Sequence, residues 1–80
     1  MIIKILGSGC ANCQKLEKRA REAAKKAGID AEIVKVQDYV DIMGYGVMST
    51  PGLVVDEAVK VSGRVPSVEE IATILRASNS

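Results

Sequence analysis

The sequence predicts an α/β domain, a four-stranded mixed sheet with helices on both faces, in the order β-α-β-α-β-β-α. Three observations predict it. Two branched apolar runs, "IIKIL" and "AEIVKV", flank a long helical pattern, and strands joined by such a helix pair parallel through a right-handed crossover. Later, "LVV" and "VKV" stand three residues apart, the spacing of an antiparallel hairpin. Finally, 80 residues supply one small core, so every apolar face must close on that single sheet.

The elements follow in order. Ile2–Leu6 is a short apolar run closed by "GSG" and reads as a buried strand. From Ala11 to Ala27, Cys13, Leu16, Ala20, Ala23, Ala24 and Ala27 recur every three or four residues with Lys, Arg and Glu between them, an amphipathic helix. Gly28 follows, suited to a left-handed C-terminal cap. Residues 31–36 form the second strand. "DYVDIMGYGV" offers Val40, Ile42 and Met43 to a short helix that starts near Asp38 and frays at Gly44 and Gly46. After "STPG" the two hairpin strands, residues 53–55 and 59–61, are joined by Asp56, Glu57 and Ala58. Ser67 with Glu70 three residues later is a capping-box sequence, and it opens the last helix through Ile71, Ile74 and Leu75. Residues 1–77 are expected to form one domain and residues 78–80 a frayed tail.

Composition excludes several classes. Eleven Lys and Arg against ten Asp and Glu leave a net charge of +1, which provides no general attraction to nucleic acid or acidic membrane. The aromatic residues are two tyrosines, Tyr39 and Tyr45, so aliphatic side chains must fill the core. The opening apolar run is interrupted by Lys4 and stops at Gly7, short of the roughly 7–15 residue core of a secretion signal. Nothing approaches the roughly 18 apolar residues of a membrane span. A monomeric cytoplasmic protein is expected, in a compartment that keeps thiols reduced unless chemistry uses them. The helix carries Lys15, Lys18, Arg19, Arg21, Lys25 and Lys26 against Glu17 and Glu22, read as a solvated face with i,i+4 ion pairs.

Chemistry concentrates at Cys10 and Cys13, the only cysteines in the chain. As a staple, a disulfide over so short a loop would contribute roughly 2 kcal/mol before strain. Zinc wants four ligands, and with no histidine one chain offers two soft donors. A two-thiolate Cu(I) carrier stays open on this spacing. A redox pair uses more of the local sequence. At a helix start, Cys10 would lie among unpaired backbone N–H groups that favour thiolate, making it the nucleophile. Cys13 falls on the apolar stripe with Leu16 and Ala20 and would be the shielded resolving thiol.

Beyond the cysteines, "CANC" after the first strand, "YGVMSTPGLVV" and "VSGRVPSVEEI" together resemble the thioredoxin superfamily. The likeness spans essentially the whole chain, in a short form similar to the small thioredoxin- or glutaredoxin-like redox-active disulfide proteins of archaea and bacteria. The resemblance implies a thioredoxin-like fold and a dithiol-disulfide oxidoreductase with Cys10 and Cys13 as catalytic pair. It implies a cis Thr50–Pro51 bond beside Cys10, and substrate contact at Thr50, Pro51 and Gly63. Protein disulfides would be the substrates, and a thioredoxin-reductase-like protein the electron donor; no cofactor or metal is called for. The sequence departs from thioredoxins where Gly9 replaces their tryptophan and Ala-Asn replaces Gly-Pro. It departs from glutaredoxins where Arg64, Val65 and Pro66 follow Gly63.

Overall fold

The computed structural model describes residues 1–7, 11–47 and 50–79. Seven elements follow in the expected order: β1 Ile2–Leu6, α1 Ala11–Ala27, β2 Glu32–Val36, α2 Tyr39–Gly44, β3 Gly52–Val55, β4 Ala58–Ser62 and α3 Val68–Asn79. The sheet runs β2-β1-β3-β4. β1 pairs parallel with β2, Ile5 opposite Lys35, and antiparallel with β3, Ile5 opposite Leu53.

Alternation along the strands sorts the side chains to two faces. Ile3 and Ile5 of β1, Leu53 and Val55 of β3 and Val61 of β4 point one way. They are buried with Leu16, Ala20 and Ala23 of α1 and Ile71, Ala72 and Leu75 of α3. The small residues at 20, 23, 24 and 72 let the two helices approach each other closely over the sheet. Leu6 and Val54 point the other way and bury against Ile42 of α2 and Val47. This second cluster is much smaller, because α2 has six residues where α1 has 17. Tyr39, Val40 and Met43 on α2 stay exposed.

Local chemistry sets the ends. Gly28, at φ +69°, donates to the Lys25 carbonyl at 3.2 Å while Ile29 donates to Ala24 at 2.9 Å; this Schellman arrangement satisfies two end carbonyls of α1. Asp38 caps α2, its carboxylate accepting from the Val40 N–H at 2.9 Å. The hairpin differs from the three-residue expectation. Val55 pairs with Ala58, so the loop is Asp56 and Glu57 alone, at φ 48° and 69°. Both signs match a type I′ turn, and Asp56 is held in it by exchanging hydrogen bonds of 2.9 Å with the Ile2 backbone. A register shift between Leu53 and Val54 makes Lys60 the extra residue on β4.

The last helix also departs from expectation at both ends. Ser67 Oγ accepts from the Glu70 N–H at 3.1 Å, but the Glu70 carboxylate turns to the Arg64 guanidinium instead of closing the box. The helix then continues to Asn79, past residue 77 where a frayed tail was expected. Neither glycine nor proline follows Leu75, and Ala77 is a strong helix former.

Candidate functional site

β1 delivers the chain to the site and α1 carries it away. Cys10, with Ser8 and Gly9, lies outside the described residues, so the expected placement of that sulfur at the helix start does too. Cys13 lies in the first turn of α1, 5% exposed on the same stripe as Leu16, and it is disulfide-bonded. That turn contains no acidic residue, so no carboxylate offsets its exposed backbone N–H groups.

Gly7 is the residue over which the parts meet. Its φ is +155°, and a Cβ built there would stand 2.2 Å from Cys13 Sγ and 3.9 Å from the Thr50 Cβ. The end of β1, the first turn of α1 and the loop entering β3 therefore converge at one point. Thr50 is exposed and Pro51 buried; the peptide bond between them is cis. The Pro51 carbonyl accepts from the Gly63 N–H at 2.9 Å, which ties the far end of the hairpin to the same loop. Cys13, Thr50, Pro51 and Gly63 thus form one connected region. Thr50 also rims a largely apolar groove of about 360 Å³ with Tyr39, Ile42, Met43 and Val47.

A second feature beside Cys13 escaped the sequence reading. A recess of about 70 Å³ is lined by Ile5, Gly7, Cys13, Glu17, Lys35 and Gln37, among others. Glu17 is one helical turn beyond Cys13. Its carboxylate accepts from Lys35 Nζ at 3.0 Å and from the Arg21 guanidinium at 3.1 and 3.2 Å, while its side chain keeps 18% exposure. The Lys35 ammonium, and then Arg21, hold that carboxyl below the usual carboxylate range. The available signal was the i,i+4 relation of Glu17 to Cys13, together with the parallel register that sets Lys35 beside Ile5.

The opposite face carries a separate charged cluster. Lys4 Nζ donates to Tyr45 Oη at 2.6 Å and to Glu57 at 2.5 Å, and sits 5.4 Å from the centre of the Tyr45 ring. It caps the part of the sheet that the short α2 leaves open. Among the described residues no group of three or more Cys, Asp or Glu could hold a metal ion, and no helix is long and apolar enough to cross a membrane.

The fold and the position of Cys13 agree with what the chain resembles among known proteins. Residues 1–76 match the family model described as a thioredoxin domain. A thioredoxin of Methanothermobacter thermautotrophicus is 55% identical over 75 residues, covering 94% of this chain and 97% of that protein. A thioredoxin of Methanocaldococcus jannaschii is 41% identical over 76 residues, covering 95% and 87%. With the four-stranded sheet, the helices on both faces and a match along almost its whole length, the chain belongs to the thioredoxin family of thiol–disulfide oxidoreductases.

Proposed function

We propose that this protein reduces or exchanges disulfides of protein substrates through Cys10 and Cys13, with a mixed disulfide as intermediate. The observation that carries the reading is Cys13 itself: a disulfide-bonded sulfur, buried, and gathered with Thr50 around Gly7. Of two cysteines in the chain, the reading takes Cys10 as its partner. In the reduced state the Cys10 thiolate attacks one sulfur of a substrate disulfide, and the other substrate sulfur leaves as a thiolate. Cys13 then attacks the Cys10 sulfur and the second substrate thiol is released. Two electrons have passed to the substrate, and the pair is left oxidised until a thioredoxin-reductase-like donor restores it. Thr50, Pro51 and Gly63 would present backbone and surface to the substrate segment.

With Ala and Asn between the cysteines, no cation there stabilises the reduced form. The reduction potential is therefore expected nearer thioredoxin's roughly −270 mV than the roughly −120 mV of a strong oxidant. The roles are tested by trapping. Cys13→Ser is expected to attack a disulfide protein and stall as a mixed disulfide, whereas Cys10→Ser traps almost nothing, because the remaining sulfur is shielded. Mass spectrometry of the adducts reads the outcome. Trapping mainly through Cys13 would reverse the roles, and no trapping by either variant, with equal loss of Cu(I) affinity in both, would favour a soft-metal carrier instead.

A further inference from the structure

We infer that Tyr45 is a positioning residue for substrate contact, its hydroxyl clamped between Lys4 and Glu57 so that the end of α2 and the groove beside Thr50 stand fixed on the sheet. This rests on the exchange reading above, in which Thr50 meets the substrate. The starting point is how little else holds α2. It has six residues, of which Ile42 alone is buried, and the core beneath it is completed by Leu6, Val47 and Val54, with Val36 and Tyr45 half-buried alongside. One buried side chain does not fix the direction of a helix.

Tyr45 supplies a second anchor. Its N–H donates to the Ile42 carbonyl at 3.2 Å and so ends α2, while its hydroxyl reaches across to the sheet. There the hydroxyl accepts from Lys4 Nζ at 2.6 Å and donates to the Glu57 carboxylate at 3.1 Å, and Lys4 itself donates to Glu57 at 2.5 Å. The three groups close a ring of charge-assisted hydrogen bonds, which are stronger than neutral ones. Both partners are placed by backbone structure. Lys4 lies midway along β1, opposite Val34 of β2 on one side and Val54 of β3 on the other, and Glu57 sits in the two-residue turn that Asp56 ties to the Ile2 backbone.

What the clamp holds is the side of the site that a substrate would touch. Directly after Tyr45, Gly46 at φ +77° turns the chain into the buried Val47, and Ile42, Met43, Gly46 and Val47 line the groove that Thr50 rims. Beyond Thr50, the Pro51 carbonyl accepts from the Gly63 N–H. The segment carrying Thr50 is thus tied at Tyr45 and at Pro51, and the first tie is made by side chains, so substitution can remove it. α1, with Cys13 in its first turn, packs on the opposite face of the sheet. The clamp therefore bears on how a substrate is seated and leaves the cysteine chemistry alone. Without it, α2 and the groove sample other positions, and apparent affinity falls with the fraction of molecules that stays competent.

Steady-state reduction of insulin and of hydroxyethyl disulfide, with dithiothreitol as the recycling reductant, separates seating from chemistry. Tyr45→Phe, which keeps the ring and removes the hydroxyl, is expected to raise KM for insulin about 3- to 10-fold, the scale of one net hydrogen bond. Its kcat for insulin and its rate with hydroxyethyl disulfide should stay at the wild-type level. Lys4→Met should raise KM similarly, and the double variant should be no worse than either single one, because each removes the same clamp. Lys4→Arg, which keeps a cationic donor, is expected to recover part of the loss. Amide hydrogen exchange gives a readout independent of turnover: the Gly46 and Val47 amides should lose protection in Tyr45→Phe while those of Ile5 and Leu53 keep it. An unchanged KM for insulin, equal losses with both disulfides, additive effects of the two substitutions, or unaltered protection at Gly46 and Val47 would each overturn the assignment. A wild-type protein that reduces neither disulfide would instead overturn the exchange reading beneath it.

Discussion

A methyl group on Gly7 has nowhere to go. The Cβ would stand 2.2 Å from the Cys13 sulfur and 3.2 Å from its Cβ, both held by an α1 turn that is packed on the sheet, and φ +155° is a conformation L side chains rarely adopt. Overpacking of this kind costs about 1–3 kcal/mol. Gly7→Ala is therefore expected to lose about that much stability and to shift the cysteine reduction potential, since Cys13 must move. Gly44→Ala, with nothing within 4 Å of its Cβ, serves as comparison and is expected to stay within about 0.5 kcal/mol. Urea unfolding and equilibration against glutathione measure the two effects; an unchanged potential in a folded Gly7→Ala protein would show that the sulfur tolerates the displacement. The sequence reading placed Gly7 in a strand-closing "GSG" but could not see this role. The contact arises only when β1 and α1 fold back on each other.

Elements were legible where a side-chain pattern creates them. The period of Cys13, Leu16, Ala20, Ala23 and Ala24 is what α1 buries, and the parallel β1–β2 pairing follows from that helix standing between two apolar strands. Ends were less legible where backbone geometry decides them. The hairpin turn is one residue shorter than expected because Asp56 and Glu57 adopt left-handed φ without the Asn or Gly that usually signals it. For α3, "SVEE" marked the start, but Glu70 found a better partner in Arg64. What remains at that end is a single cap from Ser67 Oγ to the Glu70 N–H. Ser67→Ala is accordingly expected to cost about 1 kcal/mol, while Glu70→Gln leaves the cap in place and costs less. Denaturant midpoints would check the order, and a larger loss from Glu70→Gln would mean that the Arg64 pair, rather than the cap, holds the helix start.

Across the whole molecule the charges stay outside: among the described residues the buried groups are apolar, with no buried polar or charged side chain. The dependence of stability on pH must then come from surface pairs, and the most connected is Lys4 with Glu57 and Tyr45. Hydrogen bonds from Lys4, and then Tyr45, lower the Glu57 pKa from its usual 4.5; Glu57, followed by Tyr45, raises that of Lys4 above 10.5. A depressed carboxyl contributes stability above its unfolded value and loses it as pH falls through the folded one, whereas a raised amine contributes below its unfolded value and loses it as pH rises through the folded one. Glu17 and Glu70, lowered by Lys35 and Arg64 respectively, share the acid branch. The oxidised protein is thus expected to show a flat thermal midpoint between about pH 5.5 and 9 and a decline below about 4.5. Glu57→Gln removes one acid-side contribution and the main cause of the Lys4 shift, so its midpoint should fall less steeply at low pH and should approach that of wild type as the carboxylates protonate. Because these groups are solvated, the difference should shrink further in high salt. Calorimetry from pH 2.5 to 7 in low and high salt tests it: parallel acid limbs for wild type and Glu57→Gln would show that the pair is made in the structure yet contributes nothing measurable to folding.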